Sequence, residues 1–113
     1  MESNSIDQKQ FIGVKAIIKN SEGKVLLLKR SAKYNHLETE YDIPGGRIHF
    51  GEEPEDGLKR EVKEETNLDV KTLERILDVC TIFKDNTMHI IRITYLCTAT
   101  QESLVSLKLS DEH

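Results

Sequence analysis

A mixed α+β domain is what this chain predicts, on three observations. Runs rich in aliphatic and β-branched residues lie on both sides of a single stretch with helical period. Each run closes at a cluster of turn-forming residues, and the order is strand, strand, a short strand, helix, strand, strand. In 113 residues with no internal repeat, low-complexity tract or linker, one domain is expected over residues 11–113, after a loose polar leader over residues 1–10.

The elements follow from local chemistry. "FIGVKAII" (11–18) and "KVLLLKR" (24–30) read as a β-hairpin, because "KNSEGK" between them supplies Asn, Ser and Gly for the turn. "SAKYNHLETEYD" (31–42) has no sustained period and reads as a surface loop leading to a short strand around Tyr41 to Ile43. Pro44, Gly45 and Gly46 are expected to break regular structure. A helix is expected from Pro54, which suits a first helical position, to Thr66. Asn67 ends it, because after Gly it best tolerates the left-handed conformation at a helix C-terminus. Residues 68–83 and 88–100 are strands around a "KDNT" turn, with Ile91, Ile93, Tyr95 and Cys97 on one side of the second and Ile90, Arg92, Thr94 and Leu96 on the other. "SLVSLKLSDEH" holds one more candidate strand.

The charge balance narrows the partners. Sixteen basic and 20 acidic residues give a net charge of −4, which argues against nucleic acid as a polyanionic partner. No apolar run approaches the roughly 20 residues that span a bilayer, and "MESNSIDQKQ" lacks the zones of a signal peptide, so no membrane contact and a cytoplasmic location are expected. Cys80 and Cys97 lie in separate apolar runs and read as reduced, packed thiols.

Chemistry concentrates between Gly45 and Leu68. On a helix Glu61, Glu64 and Glu65 share a face, and like charges at that spacing repel. Leu58 and Val62, four apart on another side, are free to pack on a sheet. The acidic face is either a solvated surface or a site for a hard divalent cation, Mg²⁺ or Mn²⁺, since all-oxygen donors suit those ions. The two glycines let the preceding loop pass close to this face, and Arg60 could hold Glu52 or Glu64 with its planar fork.

The stretch resembles the signature of the Nudix hydrolases, G-x5-E-x7-R-E-U-x-E-E-x-G-U with U aliphatic. Gly46, Glu52, Arg60, Glu61, Val62, Glu64, Glu65, Asn67 and Leu68 occupy its positions, so six of seven fixed letters and both aliphatic positions agree. The departure is Asn67 where the family has glycine, a substitution expected to cost stability rather than metal binding. The resemblance implies an α/β/α sandwich around a mixed sheet, with the signature forming loop, helix and loop. It also implies hydrolysis of a nucleoside diphosphate linked to another group, by water attacking phosphorus. In that family pattern Glu61, Glu64 and Glu65 would ligate Mg²⁺ or Mn²⁺ with the carbonyl of Gly45 or Gly46, Arg60 and Glu52 would orient the carboxylates, and Glu64 would couple most tightly to the attacking water. The family's C-terminal helix has no evident counterpart before "SDEH", which would leave apolar surface exposed or covered by a second copy in a homodimer.

Substrate choice lies outside the signature. The proline or tyrosine that marks some subclasses beyond it is replaced here by Phe83, Lys84 and Asp85, and the short chain looks most like members acting on (deoxy)nucleoside triphosphates. Arg30, Arg47, Phe83 and Tyr34 are the candidate substrate contacts, with Lys15 and His49 as further basic groups, each weighed against ordinary packing or surface charge. Two functions remain open at this stage: a metal-dependent pyrophosphohydrolase, or a non-catalytic nucleotide-binding module on the same fold. Within the first, ADP-ribose and dinucleoside polyphosphates are alternative substrates.

Overall fold

The computed structural model describes residues 7–29 and 41–100. Its elements are β1 (Lys9–Lys19), β2 (Leu28–Lys29), β3 (Tyr41–Asp42), β4 (Gly45–Arg47), α1 (Pro54–Thr66), β5 (Val70–Phe83) and β6 (Met88–Ala99). A mixed four-stranded sheet runs in the order β4-β1-β6-β5, with β1 parallel to β6 and the two outer pairs antiparallel, while β2 and β3 form a separate ribbon. Strand alternation explains the core. Val14, Ala16 and Ile18 of β1 lie opposite Ile93, Tyr95 and Cys97 of β6, and all but the partly buried Ile93 are buried against Leu58 and Val62 of α1 and against Leu68. Each of those helix side chains is fully buried, which stabilises the fold by about 2 kcal/mol apiece.

The helix occupies the span its residues predict. Pro54 opens it, Glu55 and Asp56 oppose the macrodipole in its first turn, and Asn67 closes it at φ 63°, its N–H donating to the Lys63 carbonyl at 2.9 Å. Thr66 seals the last turn from inside, its hydroxyl donating to the Val62 carbonyl at 2.7 Å and accepting from the Leu68 N–H at 3.0 Å.

Three expectations change. First, the hairpin survives only near its turn. Asn20 accepts from the Glu22 and Lys24 N–H groups, and Leu26 N–H donates to Ile18, but β2 then leaves β1 and pairs with β3. The cause is competition for one edge: Ala16 N–H already donates to the Pro44 carbonyl, and β4 pairs with Gly13 to Lys15. Second, Gly45 to Arg47 is a strand rather than a break, and glycine is what allows it, because a Cβ on Gly45 would overlap the Val14 carbonyl oxygen. Third, β1 starts at Lys9, so Lys9 and Gln10 belong to the sheet and not to the leader.

Residues 30–40 and 101–113 lie outside the described residues, and with them fall Arg30, Tyr34, the candidate last strand and the question of a closing helix. Cys80 and Cys97 are free, and burial, with Glu74 adding to it, pushes the Cys97 thiol up to about 12. No helix among the described residues is long and apolar enough to cross a membrane.

Candidate active site: an arginine-centred carboxylate cluster

α1 presents its polar face to the loop between β4 and its own N-terminus, and Arg60 stands in the middle. Its guanidinium grips Glu52 bidentately, Nε to Oε2 at 2.9 Å and Nη2 to Oε1 at 3.0 Å. Nη1 donates to Glu61 Oε2 at 3.0 Å and reaches Glu64 Oε1 at 3.4 Å, while Nη2 also donates to the Arg47 carbonyl at 3.1 Å. Glu52 receives a second anchor from the His49 N–H at 2.8 Å, and these hydrogen bonds, Arg60 first, draw its carboxyl down to about 2. The same contacts, led by Glu52, keep Arg60 charged well above its ordinary range. Helix spacing creates this hub, because residues 60, 61 and 64 meet over one turn and the turn at 49–52 brings Glu52 back across it.

Glu61 lies against a bare patch of backbone. A Cβ added to Gly46 would sit 2.5 Å from the Glu61 carboxyl carbon, so only glycine leaves that carboxylate its place. Glu65, one turn on, accepts from the Gly45 N–H at 3.0 Å. Burial raises its pKa most, and the neighbouring Glu61 adds to that rise against the opposing Gly45 N–H and Lys15 charge.

Which glycine carbonyl is free follows from register. Ile48 N–H donates to Ile12 and Ala16 N–H to Pro44, so the Val14–Gly46 pair midway between them is also a hydrogen-bonded pair and the Gly46 carbonyl turns toward β1. The Gly45 carbonyl shares the outward direction of the Arg47 carbonyl that Arg60 contacts. Gly46 thus serves as the floor beneath Glu61, and of the two candidate carbonyls it is that of Gly45 that turns outward from β1.

Among the described residues, no three acidic, histidine or cysteine side chains converge closely enough to hold a cation as they stand. Glu64, 58% exposed, has its Oε1 3.4 Å from Arg60 Nη1. The donor chemistry nevertheless fits a hard divalent ion. Two carboxylates one turn apart, one of them disfavoured in its charged form by burial and by the other, gain from a cation between them.

The candidate substrate residues are dispersed. Arg47 sends its guanidinium to the sheet face away from α1, 3.9 Å above the Phe11 ring and within 3.3 Å of the Met88 sulfur. Phe83 lies at the far end of β5, 70% exposed and stacked on His89 with ring centroids 4.7 Å apart. Lys15 is tied to Asp42 and to the Ile43 carbonyl, both at 3.1 Å. His49 contributes its N–H rather than its ring. The role of the Gly45 N–H in holding Glu65 had no signal in the sequence, because it depends on how β4 pairs.

A model of the NUDIX domain matches residues 9–113. An RNA pyrophosphohydrolase of Bartonella quintana is 38% identical over 68 residues, covering 57% of this chain and 38% of that protein. An 8-oxo-dGTP diphosphatase of Proteus vulgaris is 28% identical over 103 residues, covering 91% of this chain and 89% of its own. The crystal structure of the MutT protein from Methanosarcina mazei Go1 superposes with a TM-score of 0.63 at 30% identity, over 81% of this chain and 65% of that one. The chain thus spans less than two thirds of the length of the Bartonella relative.

Proposed function

The chain belongs to the Nudix family, and from that premise we propose that it is a divalent-cation-dependent hydrolase of nucleoside diphosphate-linked compounds, with (deoxy)nucleoside triphosphates as its substrate class. The observation that carries this reading is Arg60 holding Glu52, Glu61 and Glu64 together above the glycine floor. That arrangement holds several carboxylates in fixed positions around one guanidinium, a precision that a solvated surface helix has no need of.

Glu61, Glu64 and Glu65, with the Gly45 carbonyl, would hold Mg²⁺ or Mn²⁺, which when bound neutralises the pyrophosphate charge and acidifies the attacking water. Arg60 and Glu52 act as positioning residues, since each limits the rotamers of the carboxylates beside it. Glu64, exposed at the rim, accepts the proton of a water molecule as that water adds to phosphorus and the bond to the leaving phosphate oxygen breaks. The free thiols suit a reducing, cytoplasmic setting.

The relatives' names point to different substrates, RNA in one case and 8-oxo-dGTP in another. A second reading, a nucleotide-binding module without turnover, is favoured by one observation: among the described residues no three acidic side chains converge closely enough to hold a cation. The test is release of phosphate and pyrophosphate with Mg²⁺ or Mn²⁺ from nucleoside triphosphates, 8-oxo-dGTP, triphosphorylated RNA, ADP-ribose and diadenosine tetraphosphate, beside Glu64→Gln. Turnover lost in the variant supports the hydrolase. Binding of nucleotide with no turnover from any of them supports the module.

A further inference from the structure

We infer that Lys15 is a positioning residue for the carboxylate cluster: with Asp42 it clamps the segment from Asp42 to Gly45 so that the Gly45 backbone is presented to Glu65. The consequence for cation binding rests on the function proposed above; the clamp itself rests on the contacts of Lys15. Its ammonium donates to Asp42 Oδ2 and to the Ile43 carbonyl, both at 3.1 Å. The other Asp42 oxygen, Oδ1, accepts from the Ile43 N–H at 2.8 Å. Both polar backbone groups of Ile43 are therefore held by side chains, one by Lys15 and the other by the carboxylate that Lys15 grips.

The clamp acts where strand pairing does not. β3 pairs with β2 and β4 with β1, and Ile43 and Pro44 carry the chain from one sheet to the other. Pro44 is fully buried and has no N–H to give, and its carbonyl accepts from Ala16. The next donor along the chain is the Gly45 N–H, which goes to Glu65 Oε1 at 3.0 Å.

Register sets Lys15 against Gly45 as well. The two face each other beside the hydrogen-bonded Val14–Gly46 pair, so theirs is the closer kind of pair, with Cα atoms about 4.5 Å apart. A Cβ on Gly45 would stand 2.8 Å from the Lys15 Cα and 2.9 Å from its Cδ, so the lysine stem lies against the glycine while its head holds Ile43 and Asp42. In such a pair the N–H and C=O of each residue turn to the edge away from the partner strand. Fixing the Gly45 N–H toward Glu65 therefore fixes the direction of the Gly45 carbonyl too.

The Lys15 side chain is only 19% exposed, so its pair with Asp42 is screened less than a surface pair. An apolar side chain of the same length would pack against Gly45 and leave the Ile43 carbonyl without its donor. Burial raises the Glu65 pKa and the Lys15 charge opposes that rise, so the two groups act on each other across the glycine. Lys15 is thus engaged within the fold, not extended toward a substrate phosphate.

The test compares Lys15→Met, Lys15→Arg and Asp42→Asn with wild type in two measurements: the Gly45 amide by ¹H–¹⁵N NMR in metal-free, EDTA-containing buffer, and Mn²⁺ affinity by calorimetry. Cys97→Ala, a core truncation on β6, controls for lost stability alone. Lys15→Met should move the Gly45 amide upfield, speed its exchange and weaken Mn²⁺ binding about tenfold, as loss of a group that orients a metal ligand does. Lys15→Arg, which keeps charge and donors, should recover most of both effects. Asp42→Asn breaks the same pair from the other end and should reproduce Lys15→Met, with the double variant no worse than either alone. A Gly45 amide unmoved in Lys15→Met and Asp42→Asn, or Mn²⁺ affinity lowered equally by Cys97→Ala, overturns the proposal. Wild type that binds no Mn²⁺ refutes the metal site instead, and the amide read without metal still decides the clamp.

Discussion

A Gly46→Ala substitution sets a methyl group against Glu61 and so separates the carboxylate cluster from the fold that carries it. The added Cβ would stand 2.5 Å from the Glu61 carboxyl carbon and 2.6 and 2.7 Å from its two oxygens. Relaxed carbon contacts lie at about 3.5–4.0 Å, so the carboxylate must withdraw by roughly 1 Å. It is the end of a flexible side chain, so the fold yields cheaply, at about 1 kcal/mol and a Tm drop of about 4 °C. The 3.0 Å bond from Arg60 does not survive the move, and a displacement of about 1 Å in a positioned group costs on the order of 10² in turnover. Gly45→Ala makes the contrast: its Cβ overlaps the Val14 carbonyl and comes within 2.8 Å of the Lys15 Cα, backbone atoms that cannot swing aside, so more than about 3 kcal/mol of stability is lost. Thermal denaturation and calorimetric Mn²⁺ titration read both effects. Wild-type cation affinity and turnover in Gly46→Ala, or unfolding as severe as in Gly45→Ala, would refute the assigned seat of Glu61.

Further outcomes follow from the same geometry. Asn67→Gly relieves the left-handed cap at φ 63° and should raise stability by about 0.5 kcal/mol with turnover unchanged, whereas Asn67→Val should lower it by about 1 kcal/mol, both read from denaturant midpoints. Glu52 has a folded pKa of about 2 against an ordinary 4.5, so its contribution is complete above about 4.5 and disappears as pH falls toward 2. Wild type should therefore lose its advantage over Glu52→Gln across that window, as urea midpoints at pH 6, 4 and 3 would show. Glu65 has its pKa raised by burial, so its charge opposes folding at neutral pH. Glu65→Gln should raise the Tm of the metal-free protein while weakening Mn²⁺ binding, and the amide oxygen can still accept from Gly45.

Local chemistry alone determined the helix and the identity of its acidic residues. Pro54 and Asn67 bracket it through backbone constraints that act within a few residues, and the three- and four-residue spacing puts Leu58 and Val62 on one face and the carboxylates on another whatever surrounds them. Alternation likewise placed Ile93, Tyr95 and Cys97 on one side of β6. The tertiary structure decided what depends on pairing between distant strands. The expected hairpin of residues 11–30 gave way after Leu26 because the segment from Pro44 competes for the same edge of β1, and that choice also made β4 a strand, placed Gly46 under Glu61 and turned the Gly45 carbonyl outward.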